Sequence, residues 1–359
     1  MNDSIKSLVD DMAKQANYQA YNPKMWVAVT TYACPYSCNH CFFGSNIADQ
    51  THLNEEVLDR FAHYANLNAE YFNISGGEPM LNPEQVFRTL RNTRTPTTKL
   101  SSTFLGWTEE EVKHNIAMLR NAGLDELQIS ITTGNYHTHP KKIELPYTDY
   151  VAFIMDEILK ADITLSVRSL YDVNNTKLLV NIGEEIMRGK LGAGKPEPDP
   201  INVGNSFISE KDGKLIYMTL NHPINVGRAR DQDCDIDFDM KYICPAMETR
   251  MLMGGALTLY PDGNTARCCS VERGADFGYG NANEIDFPEI INNIQNNPLL
   301  DINFRSRLIT AHMIMKEEFP ELLPKNGAKE PCEVCSPMVS NPEVKKRLKE
   351  ISELFEGCF

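Results

Sequence analysis

The sequence lacks long apolar runs and has little positive charge relative to its acids. No stretch is long or apolar enough to cross a bilayer, and residues 1–21 lack the apolar core of a secretion signal. Asp and Glu number 49 against 35 Lys and Arg, which gives a formal net charge of -14 at pH 7, and no block of basic residues is present. We therefore expect a soluble cytoplasmic protein that binds neither membranes nor nucleic acid.

Cysteine, in contrast, is abundant, with 10 among 359 residues. The cysteines include a close triple, an adjacent pair and a Cys-x2-Cys pair. In a reducing cytoplasm such grouping indicates metal ligation rather than disulfides. The hydrophobic share of 42% and the charged share of 23% are ordinary for a globular protein, so the chain is long enough for a barrel of usual size plus a smaller region.

From residue 25 to about residue 220, short apolar strands alternate with amphipathic helices. This alternation predicts an α/β fold of parallel strands joined by right-handed crossovers. Six strands are predicted at 25–31, 70–75, 100–104, 127–132, 163–169 and 215–220. Helix start signals lie at Asn54, Asn82-Pro83 and Thr108 with Glu111, and two further helices are predicted at 147–161 and 175–189. The pattern fits a six-membered partial barrel and an open doubly wound sheet equally well.

Three later segments carry turn or helix signals. Asp212-Gly213 predicts a hairpin, so the sixth strand has a possible antiparallel neighbour. Residues 189–205, rich in glycine and proline, are predicted to form a loop or insertion. A Pro-Asp-Gly turn within residues 256–268 lies between two short strand-like pieces, and a final amphipathic helix begins at Asn341-Pro342.

The close cysteine triple is Cys34, Cys38 and Cys41, in the run Ala-Cys-Pro-Tyr-Ser-Cys-Asn-His-Cys directly after the first predicted strand. Three cysteines at this spacing can hold three irons of a cubane cluster, and the fourth iron then has no protein ligand. A zinc site is the alternative, with a fourth ligand elsewhere or with His40 completing the set. Structural zinc sites, however, usually pair Cys-x2-Cys knuckles.

A second motif, Gly76-Gly77-Glu78-Pro79, follows the second predicted strand without a gap. Together the Cys-x3-Cys-x2-Cys triple and this turn resemble the radical S-adenosylmethionine (radical SAM) superfamily, although the usual aromatic before the last cysteine is His40 here. The resemblance implies a partial (β/α)6 TIM-type barrel and a [4Fe-4S] cluster with an open iron. It also implies S-adenosylmethionine as cofactor, contacts from the 76–79 turn to its methionine amine, and a flavodoxin- or ferredoxin-type electron donor.

The same resemblance suggests three further cofactor-binding residues. Ser130 and Arg168 occupy places where relatives hold the ribose and the carboxylate, and Gly227 lies in a stretch that resembles the one near the adenine. Each has a structural alternative. Ser130 and Arg168 are equally explained as strand residues satisfied within the barrel, and Gly227 as part of a surface turn.

The remaining cysteines resemble the "twitch" arrangement, a shortened SPASM region that holds a second, auxiliary [4Fe-4S] cluster. Its implied ligands are Cys244, Cys268, Cys332 and Cys335. Cys269 is the alternative to Cys268, and a four-cysteine zinc site is the alternative to the cluster. Cys269 is also the candidate catalytic residue, as a thiol that returns hydrogen to a substrate radical. Cys234 and Cys358 are others, although cysteines without a ligand role are most often small buried hydrophobes.

The resemblance also implies a domain division and a function. Residues 1–24 would be an N-terminal extension, 25–230 the barrel, and 231–359 the twitch-like region with its C-terminal helix. About 25 residues precede the first strand, too few for a leader-peptide recognition domain, which favours a small polar metabolite that is oxidised or epimerised. The alternatives are a maturase that epimerises or crosslinks a ribosomal peptide, and a non-catalytic iron-sulfur or zinc protein. His137 and His139 would either contact substrate or cap a loop.

Overall fold

The computed structural model of the chain describes residues 23–36, 38, 41, 43–104, 106–132, 143–170, 181–198, 206–221, 256–267, 278–296, 309–324 and 331–355. The chain divides into two compact units. The sheet unit comprises the described parts of Val27–Asn39 and Ser45–Pro223. The second unit comprises the described parts of Met1–Trp26, His40–Gly44 and Ile224–Phe359.

The sheet unit alternates strands and helices along the chain. Its strands are β1 (Met25–Val29, which begins two residues before the unit), β2 (Tyr71–Ser75), β3 (Thr97–Ser102), β4 (Glu126–Thr132), β5 (Thr164–Leu170), β6 (Glu197–Pro198), β7 (Ser206–Lys211) and β8 (Lys214–Asn221). Its helices are α1 (Glu55–Asn68), α2 (Pro83–Asn92), α3 (Glu109–Ala122) and α4 (Tyr147–Lys160). A 3-10 turn covers Pro79–Leu81, and a π-helical turn covers Glu185–Lys190.

The order of strands in this sheet is β1-β2-β3-β4-β5-β8-β7-β6. Strands β2 to β5 and β8 pair in parallel, whereas β7 pairs antiparallel with β8 and with β6. Each new parallel strand is added on the same side, and a doubly wound sheet would instead reverse its strand order at a switch point. The sheet is mostly parallel and not closed, as in a partial TIM-type barrel, which confirms the predicted α/β fold.

The predicted helix starts are confirmed by their capping bonds. The Asn54 side chain accepts hydrogen bonds from the backbone N–H of Glu56 (2.9 Å) and Val57 (3.2 Å) at the start of α1. Thr108 and Glu111 form a capping box at the start of α3, and this helix ends at Gly123 with φ 97°. These caps satisfy N–H groups that have no partner within the helix. Residues next to each helix start therefore determine where α1 and α3 begin.

The helices of the sheet unit lie on one face of the sheet, because α1, α2, α3 and α4 each pack against the next. Phe61 of α1 contacts Phe72 of β2, with 5.9 Å between ring centroids. Successive strand residues point to opposite faces, and most residues that alternate with the buried apolar ones are polar, with Tyr71 of β2 and Tyr217 of β8 as aromatic exceptions. We call the side opposite the helices the polar face; it comprises Asn73, Lys99, Ser101, Glu126, Gln128, Ser130, Thr164, Ser166 and Arg168.

The polar face accounts for the largest error in the strand predictions. The third strand, expected at 100–104, covers Thr97–Ser102. Its start has the alternation of a strand with polar residues on one side, which an apolar-run criterion misses. Its end is earlier because the Thr103 N–H donates to the Glu78 carboxylate (2.8 Å) and Phe104 has φ 50°. The first strand likewise ends at Val29 rather than at residue 31.

Two further predictions in this unit have mixed outcomes. Of the helix expected at 175–189, residues 175–180 lie outside the described part, while residues 181–184 are helical and lead into the π-helical turn. Of the loop expected at 189–205, residues 197–198 form strand β6. The predicted hairpin is confirmed, because β7 and β8 flank Asp212 (φ 52°) and Gly213 (φ 79°), the two positive φ values of a type I′ turn.

The second unit contains a short hairpin and helices. Its elements are β9 (Ala256–Leu259), β10 (Thr265–Ala266), α5 (Phe287–Gln295), α6 (Ile309–Glu318), α7 (Pro331–Ser340) and α8 (Pro342–Phe355). The predicted Pro-Asp-Gly hairpin and the final helix are confirmed. Gly263 in the hairpin turn has φ 84°, and the Asn281 amide donates to the Asp262 carbonyl at 3.0 Å. Among the described helices, none has the length and apolar character to span a membrane.

Candidate functional site

The Gly76-Gly77 turn lies directly against the segment that leads into the cysteine loop. The Gly77 N–H donates to the Thr31 carbonyl at 2.7 Å, and the Glu78 N–H donates to the Ala33 carbonyl at 2.8 Å. Ala33 is followed by Cys34. In the sequence, 35 positions separate Cys41, the last cysteine of the triple, from Gly76. Hydrogen bonds nevertheless join the turn to the residues before the first cysteine, at the carboxyl ends of β1 and β2.

This close approach requires glycine at both positions. A Cβ atom on Gly77 would lie 2.2 Å from the Ala33 carbonyl oxygen, and one on Gly76 would lie 2.7 Å from the Thr31 carbonyl oxygen. Gly76 also has φ 153°, a backbone conformation that L side chains rarely adopt. The glycines therefore allow the two backbone segments to pack in direct contact, which a side chain at either position would prevent.

The Glu78 carboxylate is buried and fixes the end of β3. One oxygen accepts from the Ser102 hydroxyl (2.6 Å) and the Met80 N–H (3.1 Å). The other accepts from the Thr103 N–H (2.8 Å) and the Thr103 hydroxyl (2.6 Å). With four donors and only 1% of its surface exposed, this side chain ties the turn after β2 to the end of β3.

Tyr36, between the first two cysteines, is buried at the same place. It is 5% exposed, and its hydroxyl has no hydrogen-bond partner among the described residues. Burial raises the pKa of the Tyr36 hydroxyl well above its usual value, and the neighbouring Glu78 carboxylate raises this pKa further. The hydroxyl therefore stays protonated and can donate a hydrogen bond to a ligand that enters beside the cysteine loop.

The three cysteines differ in burial and in the unit to which they belong. Cys34 is buried and Cys38 half-buried within the sheet unit, whereas Cys41 belongs to the second unit. No group of three or more His, Cys, Asp or Glu side chains that could hold a metal ion occurs in the described part of the chain; within this loop, residues 37, 39, 40 and 42 lie outside that part. The joint ligand set stays a prediction. The donor set, three cysteine thiols, has the chemistry of a cluster held by three cysteines.

Residues 28–168 match the family model of the Radical SAM superfamily. The chain contains a radical SAM domain. The match spans β1 to β5 and includes the cysteine triple and the 76–79 turn. Radical SAM domains imply a [4Fe-4S] cluster and S-adenosylmethionine.

Solved structures similar to this chain include three that are reported with S-adenosylmethionine (AdoMet). Native anSMEcpe with bound AdoMet and Cp18Cys peptide is 13% identical, covers 92% of this chain and 99% of its own, and has a TM-score of 0.49. BtrN in complex with AdoMet and 2-DOIA is 10% identical, with coverages of 80% and 89% and a TM-score of 0.43. Streptococcus suis SuiB bound to S-adenosylmethionine is 13% identical, with coverages of 81% and 69% and a TM-score of 0.39.

Two other predicted cofactor residues of the radical SAM domain lie side by side. Ser130 of β4 and Arg168 of β5 are register partners on the polar face, near the carboxyl ends of their strands. Arg168 is exposed and Ser130 is half-buried. A guanidinium at this position is accessible to a carboxylate, for which its forked donors are suited.

The other predicted site residues lie largely outside the described part of the chain. These are His40, His137, His139, Gly227, Cys234, Cys244, Cys268, Cys269 and Cys358. Of the predicted auxiliary-cluster ligands, Cys332 and Cys335 are three positions apart on α7, and the Cys335 side chain is half-buried.

Sequence reasoning missed two features of the radical SAM domain. It did not anticipate that the Glu78 carboxylate joins the turn after β2 to the end of β3; the predicted cofactor contact of this residue stays a prediction. It also found no ionisable pair near the site, whereas Lys99 Nζ and a Glu126 carboxylate oxygen lie 2.7 Å apart on the polar face, each side chain 21% exposed. The alternation of polar residues in β3 and β4 was the signal that could have located this pair.

Proposed function

We propose that this protein is a radical SAM enzyme that cleaves S-adenosylmethionine reductively and abstracts hydrogen from an unactivated carbon of a small polar metabolite. Oxidation or epimerisation of that metabolite is the proposed outcome. The observation that supports the proposal is the hydrogen bonding of the Gly76-Gly77 turn to Thr31 and Ala33, immediately before Cys34. These bonds join the 76–79 turn to the residues that lead into Cys34, at the carboxyl ends of β1 and β2, the end at which barrels carry their chemistry.

Cys34, Cys38 and Cys41 are the proposed ligands of a [4Fe-4S] cluster. When bound, this group supplies the electron that splits S-adenosylmethionine into methionine and the 5'-deoxyadenosyl radical, the hydrogen-abstracting species. The protein's part is to orient the cofactor and exclude water. A flavodoxin- or ferredoxin-type protein is the proposed electron donor.

The turn at 76–79 is proposed to bind the cofactor's ammonium group through acceptors rather than donors. The N–H groups of Gly77 and Glu78 already donate to Thr31 and Ala33, and an ammonium is itself a donor that needs acceptors. We therefore assign its binding to carbonyl oxygens of the turn. Arg168 and Ser130 are assigned to the carboxylate and the ribose, and Gly227 to the adenine.

The auxiliary [4Fe-4S] cluster is proposed to lie in a twitch-like region at 231–359. Its ligands would be Cys244, Cys268, Cys332 and Cys335, four thiolates that leave no open iron. This cluster would carry electrons rather than bind substrate. Cys269 is the proposed hydrogen donor if the reaction is an epimerisation, and it is the alternative ligand to Cys268.

Anaerobic reconstitution tests the proposal. The loaded protein, given dithionite and S-adenosylmethionine, should form 5'-deoxyadenosine. The single variants Cys34→Ala, Cys38→Ala and Cys41→Ala should lose both this product and about four irons per chain. Cys234→Ala, outside both proposed ligand sets, should retain both. A fully loaded protein that forms no 5'-deoxyadenosine would be a non-catalytic iron-sulfur protein.

A further inference from the structure

The polar face presents hydrogen-bonding side chains in register across four strands. One row joins Asn73, Lys99, Glu126 and Thr164 as successive register partners across β2 to β5. The next row toward the carboxyl ends contains Ser101, Gln128 and Ser166. Since register partners in a parallel sheet point to the same side, these residues project from the side opposite the helices.

The row nearer the carboxyl ends has unused hydrogen-bonding capacity. The Ser101 Oγ lies 3.2 Å from the Asn73 Oδ1 and 3.2 Å from the Gln128 Oε1. One hydroxyl carries a single proton, so it can donate to only one of the two amide oxygens at a time. This short network therefore has room for a donor supplied by a ligand.

Ser166 is a second, independent sign of a binding site. This residue is 6% exposed, and its Oγ has no hydrogen-bond partner among the residues that the structure describes. Buried hydroxyls in native proteins are almost always paired, with protein, water or ligand. Ser166 is the register partner of Gln128, so the unsatisfied hydroxyl adjoins the row with unused capacity.

The position of this row relates it to the cofactor turn. Ser101 is followed by Ser102, whose hydroxyl donates to Glu78 of that turn. The Lys99–Glu126 pair lies two residues further from the carboxyl ends, about 7 Å away along the strands. The Lys99 ammonium and the Glu126 carboxylate add a hydrogen-bond donor and an acceptor on the side of this row that faces the amino ends of the strands.

We propose that the polar face, through Ser101, Gln128 and Ser166, binds the substrate, and that the substrate is a small polyhydroxylated molecule. The inference rests on the proposed function for naming the bound molecule a substrate. Hydroxyl groups both donate and accept, which suits a surface of serine hydroxyls and amides with the Lys99–Glu126 ion pair beside it. Within β2 to β5 the two rows consist of polar side chains, and Tyr217 of β8 is the register partner of Ser166. A wholly apolar substrate would leave the polar groups unpaired.

Binding to the full chain tests this without relying on cluster chemistry. The probes are myo-inositol and sorbitol, with N-acetyl-trialanine amide as the peptide comparison, followed by ligand-observed NMR. The wild type should bind at least one polyol. Ser166→Ala and Gln128→Leu should raise its Kd at least fivefold. The matched control is Ser169→Ala on the same strand, since Ser169 alternates to the helix-covered side; its Kd should stay within twofold.

The unfolding temperature of each variant separates an effect on binding from an effect on folding. Because the Ser166 hydroxyl is unpaired, Ser166→Ala should unfold at the same temperature as the wild type or higher. Binding of neither polyol, equal binding by Ser166→Ala and Gln128→Leu, or binding of the tripeptide alone would each overturn the inference. Failure of the proposed function would be seen separately, as a fully loaded wild type that forms no 5'-deoxyadenosine while polyol binding is unchanged.

Discussion

Replacing Glu78 tests the hydrogen bonds that hold the turn after β2 to the end of β3. The carboxylate accepts from two N–H groups, of Met80 and Thr103, and from two hydroxyls, of Ser102 and Thr103. Glu78→Gln keeps the shape but replaces one oxygen with an NH2 group. A hydroxyl can rotate to accept from this group, whereas a backbone N–H cannot, so at least one buried N–H loses its acceptor.

The expected magnitudes follow from these contacts. One buried donor left without a partner costs about 1–3 kcal/mol, so we expect Glu78→Gln to lower the free energy of unfolding by about 2 kcal/mol. Glu78→Ala removes both oxygens and leaves two N–H groups and two hydroxyls to find other partners. Since such losses are not additive, we expect a decrease of about 4 kcal/mol.

Urea unfolding and hydrogen exchange measure the effect globally and locally. The exposed Glu84→Gln is the control and should change the free energy of unfolding by less than about 0.5 kcal/mol. In the glutamine variant, amide exchange should accelerate in the peptide that contains Thr103. If Glu78→Gln unfolds like the wild type and exchanges at the same rate, these hydrogen bonds contribute nothing and the reasoning is refuted.

Four further predictions concern other parts of the chain. Gly77→Ala places a Cβ 2.2 Å from the Ala33 oxygen, so it should weaken S-adenosylmethionine binding at least tenfold in a calorimetric titration. Gly183→Ala, where nothing lies within 4 Å, should bind normally, and equal binding by both would contradict the close-approach argument. Thr108→Ala breaks the α3 capping box and should lower the free energy of unfolding by about 1 kcal/mol; an unchanged urea midpoint would count against it. Cys335→Ala should reduce iron from about eight to about four per chain, whereas an unchanged iron content with loss of zinc would favour the zinc alternative. Burial and the neighbouring Lys316 lower the pKa of His312 below its ordinary 6.5, so protonation favours the unfolded chain. Stability should therefore fall below about pH 6.5 more in the wild type than in His312→Gln, and identical pH profiles would contradict this assignment.

The fold could be predicted well wherever local signals and hydrophobic periodicity agreed. Strands β2, β4 and β5 were placed to within a residue at each end, and α3 from its capping box and terminal Gly123. The choice between a barrel and a doubly wound sheet could not be made from periodicity, because both have the same alternation of elements. It depends on strand order, which long-range pairing determines.

The motifs of the site could be predicted from the sequence, but the contacts between them could not. Spacing identified the cysteine triple and the 76–79 turn, yet no local rule indicates that Gly77 would approach Ala33 or that Glu78 would reach across to Thr103. Both contacts depend on how neighbouring parallel strands end. The unpaired hydroxyls of Tyr36 and Ser166 are likewise visible only once packing shows what surrounds each side chain.

The central claim is that the cluster held by Cys34, Cys38 and Cys41 has an iron open to S-adenosylmethionine beside the glycine turn. The most direct measurement is the electron paramagnetic resonance spectrum of the reduced, reconstituted protein before and after S-adenosylmethionine is added. We expect the cofactor to change the g values of one cluster signal, and Gly77→Ala to weaken this response. A spectrum unaffected by saturating S-adenosylmethionine would mean that no iron is open to the cofactor, and that this cluster does not cleave it.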